Sequence, residues 1–394
     1  MADGNCVEQT FRADVQAWLK AHFPASLAYK DPTPLWNDPT LAEREPGFNE
    51  WKRRVVEAGW GVPTWPEPYG GAGLSEQQAR ILGEEMARIG AFNPIRGVGT
   101  VMLGPTLLEF GTEAQRLEHL PPIARGERRW CQGYSEPGAG SDLAALQMRC
   151  IAEGDVWRVN GQKIWTSGAD HADWCFALVR TDPADKQGGI SFLLIDMRSP
   201  GIDARPITLI SGATHFCEVF FTDVLVPRGN IVGDVDAGWS IAKRLMQFER
   251  TGLSEGRGEG ESLAALAKRY VGADEAGRIA DPGLRDRIVG QAMRARAYTL
   301  TLERKRAEAK AAGGLTVDSS ALKNLGSKVS QARAELIVDI LGAQGLGWMG
   351  DGYLAEELDA TRTWLYSRAF SIYGGTHEIQ NNITAKRVLG LPDK

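Results

Sequence analysis

The sequence predicts an α+β protein in which a helical region, a β-region and a second helical region follow one another. Apolar residues recur at helical spacing in the first 127 residues and again after residue 237. Between them, short β-branched and aromatic runs are divided by Asn-Gly, Gly-Gly and Pro-Gly turns. A chain of 394 residues is also too long for one ordinary core. We therefore predict three domains, residues 1–127, 128–236 and 237–394.

The N-terminal domain is predicted to be helical with interruptions. In "FRADVQAWLKAHF", Phe11, Val15 and Leu19 share one helical face, and Ser75 is a predicted N-cap for the helix that follows it. Prolines and glycines in "FPASLAYKDPTPLWNDP" and "GVPTWPEPYGGAGL" exclude long regular helices there.

The middle region is predicted to be a small antiparallel barrel or sandwich. Its candidate strands lie in "DVWRVNGQKIWTSG", "DWCFALVRTD", "GISFLLIDM" and "THFCEVFFTDVLVP". From Gly238 onward the helical period returns in long Ala-rich, charged runs. Within this region the Gly-rich and charged stretch 254–283 predicts a mobile or inter-subunit connection.

Composition excludes several classes of function. A net charge of −5 implies no basic surface for nucleic acid or for anionic lipid. No apolar run approaches the roughly 18 residues that span a bilayer, and the start lacks a signal peptide's apolar segment, so we expect a cytoplasmic protein. The five cysteines show no CxxC pairing and the five histidines are scattered, which indicates reduced thiols and no metal site.

Two segments of the middle region carry the chemistry. The first, "WCQGYSEPGAGSD" (130–142), is a Gly/Pro loop that presents backbone amides and small hydroxyls. The second, "NGQKIWTSG" (160–168), sets a tryptophan among hydroxyls. A flat aromatic cofactor needs a planar neighbour and hydrogen-bond donors at its polar edge, and these segments supply both. If either segment stood alone, the simpler interpretation, a tight turn for the first and a core tryptophan for the second, would be favoured.

Together with "WPEPYGGAGL", "ILGAQG" and "YGGTHEIQNNITAKRVLG", in this order, the two segments resemble the acyl-CoA dehydrogenase family over nearly the whole chain. The resemblance implies an N-terminal helical domain, a middle antiparallel β-domain and a C-terminal four-helix bundle. It also implies an FAD bound between the last two domains, at a subunit interface.

In the middle domain the resemblance assigns five residues to the flavin. Tyr134 and Ser135 meet the isoalloxazine edge, and Gly140 lies in the same loop. Trp165 covers one ring face, and Ser167 forms a hydrogen bond near N5.

Elsewhere the resemblance assigns residues to the dinucleotide and to CoA. Gly342, Ala343, Thr376 and Glu378 match positions that hold the dinucleotide, partly from a neighbouring subunit, and Ser141 lies towards the CoA side. Small residues let the backbone approach the adenosine and pyrophosphate closely.

Two positions depart from the family pattern. Many members have an "RxxFG" arginine that reaches the FAD pyrophosphate, whereas this chain reads "KRYVGADEAGRIADP" and offers Arg269 or Arg278, without a choice between them. Where many relatives have glutamine, this chain has Asp339. Both changes favour altered flavin contacts, or a pocket that another subunit completes.

The third departure concerns the base that removes the substrate's α-proton. In the closing "SIYGGTHEIQNNI" motif, the family's usual glutamate position is occupied by Gly374, which has no side chain but keeps the backbone N–H that the family aims at the thioester carbonyl. Either the chain is inactive or the base lies elsewhere.

A second carboxylate lies in "GWSIAKRLMQFERTGL". At helical spacing, Glu249 falls within the apolar arc that contains Ile241 and Leu245. Most helical glutamates are solvated, but one on an apolar face is paired, protonated or functional. Isovaleryl-CoA-type and long-chain-type members carry their base on this helix, directly before an arginine. Arg250 fills that place as a candidate CoA contact, or is an ordinary surface arginine.

The resemblance therefore implies FAD-dependent dehydrogenation of an acyl-CoA to the 2-enoyl-CoA. Glu249 would be the base, N5 of FAD the hydride acceptor and electron-transferring flavoprotein the electron acceptor. We expect a dimer or tetramer, which could include a homologous subunit, and a bulky, branched or ring-bearing acyl group. Two alternatives stay open. One is a non-catalytic subunit that completes the FAD site of a heteromeric dehydrogenase, and the other is a flavin oxidase or monooxygenase.

Overall fold

The structure is a computed structural model, which describes residues 2–30, 32–37, 39–252, 261–312 and 319–392. Contacts within the chain divide it into two compact units. The first contains Met1–Ile207 and His215–Glu255, and the second contains Thr208–Thr214 and Gly256–Lys394. The predicted order of helical, β and helical regions is confirmed.

The N-terminal part of the first unit is helical with interruptions, as predicted. Ser75 caps α5 reciprocally: its Oγ accepts the N–H of Gln78, and its own N–H donates to the Gln78 side chain. Val15, Leu19 and Trp51 lie in the core that these helices share. The helices are α1 Ala2–His22, α2 Thr33–Asn37, α3 Pro39–Arg44, α4 Phe48–Glu57, α5 Glu76–Arg88, α6 Gly104–Phe110 and α7 Glu113–Ala124.

The rest of the first unit is built on one sheet, which has eight strands among the described residues. They are β1 Trp130–Gly133, β2 Arg149–Glu153, β3 Val156–Ser167, β4 Trp174–Arg180, β5 Ile190–Asp196, β6 Ile202–Ile207, β7 Phe216–Pro227 and β8 Ile231–Val232. The order is β6-β7-β3-β2-β4-β5-β8, with β1 beside β4. Most neighbours are antiparallel, as predicted, but β1 and β2 each run parallel to β4. Residues of β4 and β5 are buried on both faces because helices also cover this part of the sheet.

Helix α8, Gly238–Gly252, belongs to the first unit and packs on β5. Its start lies so close to the strand that a Cβ on Gly238 would be 2.4 Å from the carbonyl carbon of Ser191. Ile241, Ala242 and Leu245 are buried in the same core as the inner residues of the sheet. The predicted apolar arc of this helix is therefore its packing face.

The second unit is helical. It contains α9 Leu263–Tyr270, α10 Pro282–Ala312, α11 Ser319–Leu341, α12 Ala355–Ser367 and α13 His377–Ile383. Helix α9 lies within the stretch predicted to be only a connection, and its Leu263 and Leu266 join a core with Ile288, Leu336 and Ile340. None of the helices in the described part of the chain has the length and apolarity needed to cross a membrane.

Candidate functional site

A bulge in β3 presents the tryptophan of the "WTS" motif. Lys163 pairs with Val219 and Thr166 with Cys217, so the chain between them carries one residue more than its partner strand. Trp165 lies in this bulge with φ +59°, and its side chain is 54% exposed. Its ring meets Phe216 edge-on at 6.3 Å between centroids. A left-handed backbone is costly for a bulky residue, and such strain concentrates at functional sites. Trp165 is therefore not a core tryptophan.

The two hydroxyls that follow differ in their surroundings. Ser167 is exposed at the end of β3, where it pairs with Phe216. Thr166 is fully buried, and its Oγ1 has no hydrogen-bond partner among the described residues. A buried hydroxyl without a partner indicates a missing ligand or water. Thr166 was not among the predicted site residues, although its place between Trp165 and Ser167 was a signal.

The "SEPGAGSD" loop lies beside the bulge. The N–H of Ile164 donates to the Ser135 carbonyl at 2.9 Å, which joins the loop to β3. The Tyr134 ring is buried edge-on against Phe176 at 6.0 Å. Gly140 and Ser141 are exposed, and a Cβ on Gly140 would meet no atom within 4 Å. The structure thus brings Tyr134 and Ser135 next to the strand that carries Trp165.

Buried charges hold this loop. Lys163 is fully buried with its Nζ 2.8 Å from Glu136, and burial lowers the pKa of the lysine below its ordinary value. Arg180 is also buried, and its guanidinium donates to the carbonyls of Ala144 and Leu146 at 2.7 and 3.1 Å. Lys163 therefore holds the start of the loop 134–148, and Arg180 holds its end.

In the second unit, Gly374 has φ +63°, and a Cβ there would meet nothing within 4 Å. Its carbonyl accepts from Gln380 Nε2 at 2.7 Å, and the carbonyl of Gly375 accepts from Lys323 Nζ at 2.7 Å. The N–H of Gly374 has no acceptor within the described residues. Two carbonyls are thus anchored while one N–H stays available to a ligand.

Helix α13 begins directly after these glycines. Thr376 is its N-cap, and the Thr376 Oγ1 accepts the N–H of Ile379 at 3.2 Å. Hydrogen bonds from its own backbone N–H and from Thr376 hold the pKa of the Glu378 carboxyl below its ordinary value. Gly342 and Ala343 are exposed just after α11, and Gly342 has φ +57° with open space at its Cβ position.

Both arginines considered for the pyrophosphate are engaged within the second unit. Arg269 forms ion pairs with Glu261 at 3.0 Å and Glu356 at 3.2 Å. Arg278 pairs with Asp274 at 2.8 Å. Likewise Asp339, the other departure from the family pattern, pairs with Arg287.

The predicted base and its neighbour lie on α8. The helix continues through residues 249 and 250, so Glu249 follows the buried Leu245 by one helical turn. The side chains of Glu249 and Arg250 lie outside the described residues. Nor do three or more metal-ligating side chains converge anywhere in the part of the chain that is described.

Comparison with known families accounts for all three regions. Family models described as the N-terminal, middle and C-terminal domains of acyl-CoA dehydrogenase match residues 8–127, 131–224 and 236–389. Acyl-CoA dehydrogenase IpdE1 of Mycobacterium tuberculosis is 38% identical, and the alignment covers 98% of each chain.

Solved structures give the same picture. The Tcur3481-Tcur3483 steroid ACAD superposes with a TM-score of 0.74 at 28% identity, over 99% of this chain and 98% of that one. The ChsE4-ChsE5 complex from Mycobacterium tuberculosis gives a TM-score of 0.73 at 27% identity, over 98% of both chains. The chain therefore belongs to the acyl-CoA dehydrogenases, oxidoreductases that act on acyl-CoA thioesters.

Proposed function

We propose that this dehydrogenase uses FAD and takes the α-proton of its substrate with Glu249. The observation that carries the assignment is the buried face of α8. Ile241, Ala242 and Leu245 are at most 1% exposed, and residue 249 continues their row. In general, a carboxylate near an apolar face is a better proton acceptor than a fully solvated one.

Gly374 also supports the assignment of Glu249 as the base. It offers no carboxylate, so a catalytic base must come from elsewhere, while its N–H is available to the thioester carbonyl oxygen. A donor aimed at that oxygen stabilises the negative charge that develops as the α-proton leaves. Base and oxyanion donor are therefore assigned to different segments of the chain.

Each unit, taken by itself, presents residues that fit part of FAD. In the first unit the exposed Trp165 ring, the unpartnered Thr166 hydroxyl and exposed Ser167 suit a flat ring with a polar edge. Tyr134, Ser135 and Gly140 would extend that surface. In the second unit Gly342, Ala343, Thr376 and Glu378 would hold the dinucleotide, with Gly342 leaving room for close approach. When bound, FAD supplies the acceptor for the hydride that leaves the β-carbon.

We test the base with Glu249→Gln. General-base catalysis contributes about 10²- to 10⁴-fold, so we expect kcat to fall by that range while FAD remains bound. The exposed carboxylate of Glu335 on α11 provides the matched control, since Glu335→Gln should leave turnover unchanged. Wild-type turnover in Glu249→Gln would refute the assignment.

For the substrate we propose a bulky, ring-bearing acyl-CoA. One support is the similarity to a structure named a steroid ACAD. The other is the pair Gly374 and Gly375, which places no side-chain volume beside the proposed oxyanion donor. A panel of acyl-CoAs assayed with an artificial electron acceptor should give higher kcat/KM for ring-bearing or branched substrates than for butyryl- or octanoyl-CoA. Preference for short straight chains would refute this part of the proposal.

A second candidate function is that of a subunit completing the FAD site of a heteromeric dehydrogenase. Arg269 and Arg278 are already ion-paired, so neither is a ready substitute for the family's pyrophosphate arginine. The ChsE4-ChsE5 neighbour is itself a complex of two different chains. The visible spectrum of the chain purified alone separates the two functions: a catalytic homomer is yellow, and an obligate partner is colourless until a homologous subunit is co-expressed. A further experiment distinguishes a dehydrogenase from an oxidase. It compares the rate at which electron-transferring flavoprotein reoxidises the reduced enzyme with the rate at which oxygen does so.

A further inference from the structure

The buried ion pair between Lys163 and Glu136 joins the two segments that present the proposed flavin residues. Lys163 is 0% exposed and Glu136 is 8% exposed. The Lys163 Nζ lies 2.8 Å from Glu136 Oε1 and donates to the Tyr134 carbonyl at 3.1 Å. The strand beside the lysine is tightly packed, because a Cβ on Gly133 would lie 2.8 Å from Cys175 Sγ.

The carboxylate of Glu136 accepts hydrogen bonds from three donors. Besides the ammonium, Glu136 Oε1 accepts the N–H of Met148 at 2.9 Å, and Oε2 accepts the N–H of Gln147 at 2.6 Å. The pair therefore ties together the start of the loop, the end of the loop and β3. Lys163 is also the last residue of β3 in regular register before the bulge.

Stability alone does not account for such a pair. Removing two charges from water is expensive, and apolar residues of similar volume often replace a buried ion pair without loss of stability. What apolar residues cannot reproduce is the set of directed hydrogen bonds. The Ser135 carbonyl, between the two loop residues that Lys163 binds, accepts the N–H of Ile164, so three consecutive loop residues are tied to two residues at the edge of the bulge.

We propose that Lys163 and Glu136 are positioning residues, which hold the loop 134–148 against the bulge so that the proposed flavin-binding side chains keep one relative geometry. This inference rests on the proposed use of FAD. Neither residue needs to touch the flavin. Each acts through its neighbours, Lys163 through the bulge that presents Trp165 and Glu136 through the loop that presents Ser135.

The test compares Lys163→Met, Glu136→Gln and the double variant with the wild type. Lys163→Met leaves a buried carboxylate without its cation and could fail to fold. The double variant is neutral at both positions and retains an acceptor for one loop N–H, so it keeps the proposal testable. Arg12→Met is the control, because it breaks another ion pair, with the buried Glu85, between α1 and α5.

Two readouts are needed. Hydrogen–deuterium exchange of the flavin-free chains should show faster exchange in segments 134–148 and 161–168 of the double variant, and wild-type exchange there in Arg12→Met. Titration of the same chains with FAD should show an affinity about 10- to 100-fold weaker in the double variant. Loss of a residue that orients a metal ligand without touching the metal has an effect of this size on metal affinity, and we expect the same for residues that orient flavin contacts. The turnover that remains should fall more in kcat than in KM, by about 10²-fold, because a small misplacement of reacting groups has that effect.

The exchange rates and the FAD affinity of the double variant together decide whether the proposal holds. Faster exchange in both segments with weaker FAD binding supports the proposal. Wild-type exchange in the double variant, or faster exchange with wild-type FAD affinity, overturns it. If the wild type itself binds no FAD, alone or with a co-expressed homologous subunit, the proposed function fails. Exchange then still shows whether the pair couples loop and strand.

Discussion

Trp165 combines a left-handed backbone with an exposed ring, two properties that a residue selected for packing does not have. Glycine removes the backbone strain at this position, and an exposed ring contributes little burial. We therefore expect Trp165→Gly to change the free energy of unfolding of the flavin-free chain by no more than about 1 kcal/mol. It should nevertheless weaken FAD retention and brighten the fluorescence of any flavin that remains.

Trp165→Phe is the matched control for this prediction, because it retains an aromatic ring in the same strained position. Thermal unfolding of the flavin-free chains and the FAD-to-protein ratio of the purified chains measure the two effects. Unchanged retention in Trp165→Gly would show that this ring does not contact the flavin.

His119 on α7 is the residue from which we expect a pH effect on stability. Its ring is buried edge-on against Trp130 and Trp174, and its Nδ1 accepts from Arg128 at 3.0 Å. Burial first, and the Arg128 charge second, lower the pKa of His119 to about 4. Glu118 Oε2, at 4.0 Å, is the one carboxylate near the ring among the described residues.

Because the folded state holds His119 neutral, its contribution to stability is complete above the unfolded pKa of about 6.5 and is lost as pH falls towards 4. Between pH 7 and pH 5 this residue should account for about 2 kcal/mol of lost stability. His119→Phe keeps a packed ring that does not titrate, so its unfolding free energy should fall by about that much less over the interval. His171→Phe, at an exposed histidine, is the control, and the loss of unfolding free energy between pH 7 and pH 5 should be the same in this variant as in the wild type. Equal pH slopes in wild type and His119→Phe would contradict the assignment.

At the scale of elements, helix α8 was predicted well because its apolar arc is a local, periodic signal. The bulge in β3 was not predicted, since it exists only through the register with β7, which lies over fifty residues away in the sequence. Helix α9 was missed because glycine and charge dominate its flanks, and its packing against α10 and α11 outweighs that local composition.

The seating of α8 gives a prediction of its own. A Cβ on Gly238 would be 2.4 Å from the Ser191 carbonyl carbon and 2.6 Å from the Phe192 nitrogen. Both are backbone atoms of β5, so they cannot move aside easily. We expect Gly238→Ala to lower the free energy of unfolding by about 1–3 kcal/mol through overpacking. It should also lower kcat, because the helix carries the proposed base.

Gly83→Ala in α5 is the control, since its Cβ would meet nothing within 4 Å. This change should raise stability by about 1 kcal/mol, as alanine is the better helix former. Denaturant unfolding together with turnover of both variants measures the contrast. A Gly238→Ala variant as stable and as active as the wild type would show that α8 can shift freely on β5.

For the whole molecule, the sequence identified the order of domains and the family because its motifs are local strings. The supports of the site were beyond it. Lys163 and Glu136 are separated by 27 residues, and only the folded sheet brings them into contact. Lysine is also rarely fully buried, so a buried lysine was not expected here. Both residues lie inside the two motifs of the middle region, but only the structure shows that they pair with each other and do not belong with the residues proposed to face the cofactor.

Exposed apolar side chains on α10 bear on how the protein assembles. On α10, Val289, Met293 and Leu300 are 52%, 68% and 47% exposed and fall within an arc of about 40°. They form an apolar stripe that the exposed Arg296 interrupts, and exposed apolar side chains on one face of a long helix favour a surface that another chain covers. Light scattering should therefore find the wild type larger than a monomer, alone or with a homologous subunit, and Met293→Glu should shift it to a smaller species. Leu117→Glu, at a comparably exposed but isolated leucine on α7, should leave the assembly intact. A wild type that is monomeric in both settings would show that the stripe stays in water.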